Sequence, residues 1–306
     1  MNCIYDKNDT NENFKSFIKI KIDDLYTKKK INIPIIKDEI FNILETVSKV
    51  LYYPIKDDIS AFHLKTNKSG FEHNIVFINT NLPYEKQVFA AAYEFAYIII
   101  LSENNRLSCM KNTDTKFTND KTLNKALDKA LDTNSKILDA HDLELICTQF
   151  AGEFLVRDDI LEEELIKMGI SKADKISLEN IVRLMNLFIL PYKIILKRLY
   201  EENKISKQKY SELSLIKSCG NDSPIFQIQK RLGLCSKNNE ISKIKSFSNF
   251  IDLAIKSYSA SLKDYEDLEY SLKLFDLKPS NFNIKKTESQ CLTINELEIQ
   301  HLLFEE

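Results

Sequence analysis

The run from Val88 to Leu101 is apolar or aromatic at every position except Glu94. A stretch of that kind has to leave water, and its length decides how. It falls short of the roughly 20 residues that a bilayer-spanning helix needs, so it reads as a helix buried in a globular core. A lone carboxylate inside such a helix costs on the order of several kcal/mol if it is buried unpaired. Glu94 therefore needs a partner or a wet cleft. With 5 Gly and 6 Pro in 306 residues, tight turns are scarce and long helices are expected. The same scarcity excludes phosphate-cradling loops, since neither G-x-G-x-x-G nor G-x-x-x-x-G-K occurs. A net charge of −2 excludes a global pull towards nucleic acid or anionic membrane. The 6 Cys contain no C-x-x-C pair, which fits reduced thiols in a cytoplasm better than a disulfide scaffold or a zinc ribbon. The polar N-terminal stretch has no signal-peptide core, and a cytoplasmic location is expected.

Along the chain, residues 1–15 are polar and expected to be disordered. A helical pattern runs from about Phe14 to Lys29 and ends in the basic run Lys28-Lys29-Lys30, read as a solvated helix terminus. A second helix is expected from Lys37 or Asp38 through Val50. Leu51–Pro54, Ile59–Leu64 and Asn74–Ile78 have the β-branched and aromatic content of short strands, with Asn67-Lys-Ser-Gly70 as a turn. The buried helix follows, then a polar stretch, Ser102 to Asp120, expected to be a loop or insertion. Helices resume near Lys121 and again over Asp142–Phe154, Asp159–Met168, Leu178–Phe188 and Pro191–Asn203. The order implies an α+β domain, a small mixed sheet plus helices, over residues 16–205. A mostly helical region of open role is expected over 206–306, with Phe247–Tyr258 and Asp264–Phe275 as its clearest segments.

The buried helix reads Tyr93-Glu94-Phe95-Ala96-Tyr97. In zinc-peptidase helices of the form H-E-x-x-H, two His four residues apart bind the metal and the Glu polarises its water. Here the Glu is kept and each His position carries Tyr, whose neutral phenol is a poor ligand beside imidazole. The third ligand of such sites is a Glu on a following helix. Glu144-Leu-Ile-Cys147-Thr148-Gln-Phe150-Ala151-Gly-Glu-Phe154-Leu155 has that character. Together the two stretches resemble the ImmA/IrrE family of metallo-endopeptidases, with its helix F-T-x-A-H-E-L-G-H followed by E-x-x-A-N-x-F-A-x-x-L-L. Phe89, Ala92, Glu94, Glu144, Phe150, Ala151 and Leu155 match by residue type. Ile78-Asn79 before Glu85-Lys86-Gln87, and Phe188-Ile-Leu-Pro191 with Arg198-Leu199, agree with the flanking motifs. The resemblance spans residues 18–205 and implies a zincin-like metallopeptidase fold.

The departures bear on chemistry. Tyr93 and Tyr97 replace both imidazoles, Cys147 and Thr148 replace an Ala-Asn pair, and Arg157 stands where Pro usually follows. A catalytic zinc site needs three protein ligands at about 2.0–2.2 Å, and Glu144 alone is a weak remainder. Tyr93, Tyr97 and Glu144 are therefore vestigial ligand positions, and Glu94 occupies a vestigial general-base position. No zinc or other cofactor is expected. The bland reading makes Tyr93 and Tyr97 core aromatics whose hydroxyls bond Glu94 or Glu144. His73 and His141 are the cleft candidates for displaced ligands, although a strand edge and a helix N-terminus are the commoner places for them. His63 is assigned to a half-buried strand, His301 has no visible partner, and Cys147 reads as a small apolar filler. Ile225–Leu234 followed by Ile241-Ser-Lys-Ile has the outline of a helix-turn-helix, but a basic amphipathic helix ending in Gly is common without DNA.

The resemblance implies a pseudopeptidase, a regulator that uses the old cleft to hold a protein partner. Family members act on helix-turn-helix transcriptional repressors in mobile elements or stress responses, and such a repressor is the expected partner. Direct nucleic-acid or membrane binding is not expected. Two alternatives remain open. One is an active zinc metallo-endopeptidase with relocated ligands, His141 or His73 with Glu94 and Glu144. The other is a scaffold acting through residues 206–306.

Overall fold

The computed structural model describes residues 11–28, 31–68, 71–111, 140–170, 175–234 and 237–286. The expected disorder of residues 1–10, the Lys29-Lys30 end of the basic run, the tip of the 67–70 turn and the helix near Lys121 lie outside these. So does His301. The described residues form a four-stranded sheet and 11 helices, the mixed α+β architecture of a zincin-like domain.

Helix α1 (Asn11–Lys28) buries Phe17, Ile18, Ile22 and Leu25 along one stripe. It begins before residue 15, so residues 11–15 are helical rather than disordered. Helix α2 (Glu39–Glu45) is shorter than the sequence suggests. The Thr46 and Ser48 hydroxyls donate back to the Ile43 and Leu44 carbonyls, and the β-branched stretch beyond them leaves the helix for the sheet. Strands β1 (Lys49–Tyr53), β2 (Ala61–Lys68) and β3 (Phe71–Asn79) follow. β1 runs parallel to β3 and β2 antiparallel to it, and the register turns Val50, Val76 and Ile78 into the core with no exposed surface. Buried Asn79 ends β3. Its amide donates to the carbonyls of Asp57 (3.0 Å) and Ile59 (2.9 Å) and accepts from the N–H groups of Ile55 (3.1 Å) and Asn81 (3.0 Å), fixing the entry to the next helix.

That helix is α3 (Tyr84–Lys111). It takes in residues 102–111 of the polar stretch expected to be a loop, which contain no Gly or Pro and whose polar side chains are compatible with a helix; residues 112–120 of that stretch lie outside the described residues. α4 (Ala140–Leu155) packs along it. Ala92 and Ala96 on α3, and Cys147 and Ala151 on α4, are fully buried and small enough to let the two backbones approach. α5 (Asp158–Lys167), α6 (Leu178–Phe188) and α7 (Tyr192–Glu201) complete the helical layer. α6 starts at Ser177 with a reciprocal side-chain cap from Asn180.

The first compact unit ends at Ser248, not near residue 205. After α8 (Lys207–Ser214) and α9 (Pro224–Arg231), an extended strap returns across the start of α3. Tyr84 N–H donates to the Glu240 carbonyl (2.9 Å), Lys243 N–H to Thr80 (3.0 Å) and the Thr80 hydroxyl to Ile244 (2.7 Å). β4 (Ser246–Phe247) then pairs with β1, giving the order β2-β3-β1-β4. Residues 241–244 are non-helical and bond to the chain at Pro83 and Thr80, so they do not form the second helix of a helix-turn-helix. The second unit, from Asn249 onwards, contains α10 (Phe250–Ser259) and α11 (Tyr265–Lys273), joined by Phe250–Phe275 and Tyr258–Tyr265 ring contacts. Among the described residues no helix is long and apolar enough to cross a membrane.

Candidate functional site

Glu94 sits mid-way along the apolar part of α3, only 5% exposed. Burial pushes its carboxyl up to about 7, and burial is the sole cause. Among the described residues no hydrogen bond or ion pair reaches it. The expected bonds from the Tyr93 and Tyr97 hydroxyls to Glu94 do not form. On a helix, Tyr93 is an immediate neighbour facing elsewhere, and the Tyr97 ring stands edge-on to His63 at 5.5 Å. Tyr93 and Tyr97 are half-buried. Burial raises the Tyr93 phenol well above its ordinary range, reinforced by Cys147, Glu144, Glu94 and Tyr97. The phenol therefore stays protonated. Cys147, across the helix contact, is pushed up to about 12 by burial and by Glu94. It is a neutral filler.

The structure thus brings Tyr93, Glu94, Tyr97, Glu144 and Cys147 into one electrostatic neighbourhood between α3 and α4. Of the two cleft candidates, His73 lies on β3 opposite Thr66 and is exposed, with no contact to this group. His141 lies in the first turn of α4, and its side chain is outside the described residues. His63 is the histidine that reaches the site. Its Nε2 is 2.9 Å from Asn74 Oδ1, and its ring packs on Tyr97. Strand alternation alone could have found it, since Ala61 and His63 share the helix-facing side of β2 once β2 is paired with β3.

A buried charge network holds α4 from its other side. Arg198 on α7 is 1% exposed. It donates to the Val156 carbonyl (3.3 and 3.1 Å) and pairs with Glu153 (2.6 Å), Asp158 (2.7 Å), Glu201 (2.9 Å) and Glu202 (3.4 Å). Lys15 meets Glu202 at 2.7 Å, and Lys19 pairs with Asp158. Lys197 reaches Glu201 at 3.7 Å, so four basic groups face the four carboxylates. Burial pushes Glu153 up to about 7 despite Arg198, while Asp158, with its Lys19 and Arg198 partners, is held down at about 2. The network ties α1, α4, α5 and α7 together.

These residues do not fit a zinc ion at the old ligand positions. The donors are a protonated phenol, a second phenol leaning on His63, a neutral thiol and carboxyls. The described His, Cys, Asp and Glu groups whose ligand atoms converge closely enough for a metal are Glu153, Asp158 and Glu202. Those carboxylates are already taken by Arg198, Lys15 and Lys19.

The architecture, a small mixed sheet backing a long helix with a second helix across it, defines a metallopeptidase-type domain. Residues 48–200, half of the chain, match the IrrE N-terminal-like domain, and the chain belongs to that ImmA/IrrE family. A search of curated proteins gave no match.

Proposed function

We propose that this protein is a catalytically degenerate ImmA/IrrE-type chain, a pseudopeptidase that holds a segment of a protein partner in the former substrate cleft. One observation carries the reading: tyrosines stand at both ligand positions of a helix that retains its Glu94, and burial keeps the Tyr93 phenol protonated. By family resemblance the partner is a helix-turn-helix repressor, and the setting is control of a mobile element or stress response in the cytoplasm.

The neighbouring sheet edge supports polypeptide binding. Asn79 N–H donates to the Ser60 carbonyl at 2.9 Å, so the alternation of an antiparallel ladder turns the main-chain groups of Ala61 and His63 away from β3. Among the described residues nothing pairs with them, and Phe62 and Leu64 beside them are exposed. An extended segment could add there as a strand. Of the candidate relocated ligands, His73 makes no contact with Glu94, and the His141 side chain lies outside the described residues.

Elemental analysis of the purified full chain tests the proposal, together with melting in the presence and absence of a chelator. The expected results are sub-stoichiometric zinc and an unchanged melting temperature. A metal that binds only the fold would stabilise it, so a chelator-induced fall of several degrees would overturn the reading.

A further inference from the structure

The second unit has much exposed apolar surface, at Leu253, Leu262, Tyr270 and Leu274, and little core. Among its described residues the buried side chains are Leu268, Leu272, Phe275 and Pro279, and α10 contributes none. A helical hairpin with so few buried side chains gains little from its own core, and association commonly supplies the rest. α11 turns Leu268, Leu272 and Phe275 inward, the last onto the Phe250 ring of α10 at 5.5 Å. Its opposite face carries Glu266, Glu269, Tyr270 and Lys273 at i, i+3, i+4 and i+7, the spacing of one helix stripe. The turn after the helix adds Leu277 and Lys278, and together these residues border an open cavity of about 610 Å³. Tyr270 stands in the middle of the stripe, 69% exposed. Glu266 is paired with Lys286 at 2.6 Å, Asp267 with Lys263 at 3.5 Å, and Asp276 at the cavity rim has an interaction of its own. Among the described residues, Glu269 at one end of the cavity and Lys273 and Lys278 at the other are in no ion pair.

We propose that this face of α11 is a contact with a second copy of the same chain, the two helices running antiparallel about a two-fold axis. The charge pattern is complementary to itself in that orientation only. Glu269 of each copy then lies beside Lys273 and Lys278 of the other, whereas a parallel pair would set like charges together. Both contacts recur by symmetry, as an isologous interface requires. The macrodipole accounts for acids early and a base late in α11, but not for an exposed aromatic between them. In the pair, Tyr270 of each copy enters the partner's cavity and covers Leu277, an amphipathic ring suited to a partly wet interface. The stripe is one short helix long, so the contact is small and the dimer reversible. The cleft beside Glu94 takes no part, and the pseudopeptidase reading stands or falls separately.

Sedimentation velocity of the full chain, over a concentration series reaching about 1 mM, tests the contact, with far-UV circular dichroism confirming that each variant folds. The expected result is a reversible monomer–dimer equilibrium. Tyr270→Ala should weaken it at least about ten-fold in Kd. Glu269→Lys turns the unpaired charges of the face wholly basic, and Lys273→Glu with Lys278→Glu turns them wholly acidic. Each of these alone should dimerise at least about five-fold more weakly than the parent. Mixed in equal amounts, the two charge variants should recover a heterodimer as tight as the parent dimer. Glu212→Lys on exposed α8 should change nothing. A chain that stays monomeric throughout the series, or a dimer indifferent to Tyr270→Ala, would overturn the inference. Charge variants that fold but fail to recover on mixing would overturn the antiparallel arrangement, and the proposal with it.

Discussion

Replacing Arg198 with Met removes a buried charge but keeps an unbranched stem against α4. The guanidinium now donates to the Val156 carbonyl and pairs with Glu153 at 2.6 Å, and both Arg198 and Glu153 are almost fully buried. Breaking a buried pair on one side typically costs about 3–5 kcal/mol, because the remaining charge is stranded. We expect that loss at pH 8. At pH 6 it should be smaller by roughly 1–2 kcal/mol, since a carboxyl already pushed up to about 7 keeps its proton there and no charge is stranded. Asp158, Glu202 and Glu201 retain Lys19, Lys15 and Lys197 and should contribute little to the loss. Adding Glu153→Leu removes the stranded group, so Arg198→Met/Glu153→Leu should recover at least about 2 kcal/mol relative to Arg198→Met alone. Urea unfolding followed by far-UV circular dichroism at pH 6 and pH 8 measures both the loss and the recovery. A loss below about 1 kcal/mol at pH 8, or a double variant worse than the single one, would refute the claim that this network clamps α4.

Three further outcomes are expected. Tyr93→His with Tyr97→His should take up stoichiometric zinc by elemental analysis, and either single change should not; failure of the double variant would mean that Glu144 does not complete the set. Glu85 is pushed up to about 8 by burial, against the weaker pulls of Asn238 and Lys86. The fold therefore holds a proton that the unfolded chain releases near pH 4.5, and the resulting destabilisation grows as pH rises from 4.5 to 8. Allowing for partial solvent access, Glu85→Gln should gain about 1–2 kcal/mol at pH 8 and nearly nothing at pH 5. A gain that is the same at both pH values would contradict this. A Cβ on Gly152 would lie 3.0 Å from Arg198 Cδ, a stem pinned by its polar contacts. Gly152→Ala should accordingly destabilise by about 1 kcal/mol despite alanine's better helix propensity, and a raised melting temperature would count against it.

Local signals carried the parts of this fold that local residues decide. The Leu178–Phe188 helix was legible because a Ser cap, an apolar stripe and a following Pro coincide there. The buried helix was legible because its apolar run cannot be placed elsewhere. What escaped depends on residues far apart in sequence. A two-residue strand at Ser246–Phe247 has no period to detect, and only its pairing with Leu51 and Tyr52 makes it a strand. The Arg198 network gathers side chains from Lys15 to Glu202, each unremarkable alone. Within the site, the motif placed Tyr93, Glu94 and Tyr97 on one helix. It did not reveal the orientation of Tyr97 towards His63, which follows from the β2–β3 register.

The exchange of two imidazoles for two phenols shifts how α3 and α4 are held together. In a zinc enzyme of this design the metal is a cross-link between the two helices, and its binding energy becomes folding energy. On the pseudopeptidase reading that link falls to packing and to the charge clamp. Phe95, Phe150 and Phe154 form a run of ring contacts at 5.2 and 5.9 Å across the helix pair, and Ala92, Ala96, Cys147 and Ala151 close the gap between backbones. On the far side, Arg198 anchors α4 through Glu153 and the Val156 carbonyl. With the helices secured in this way, loss of the metal ligands need not unfold the domain. On the pseudopeptidase reading, Glu94 is then no longer tied to water activation.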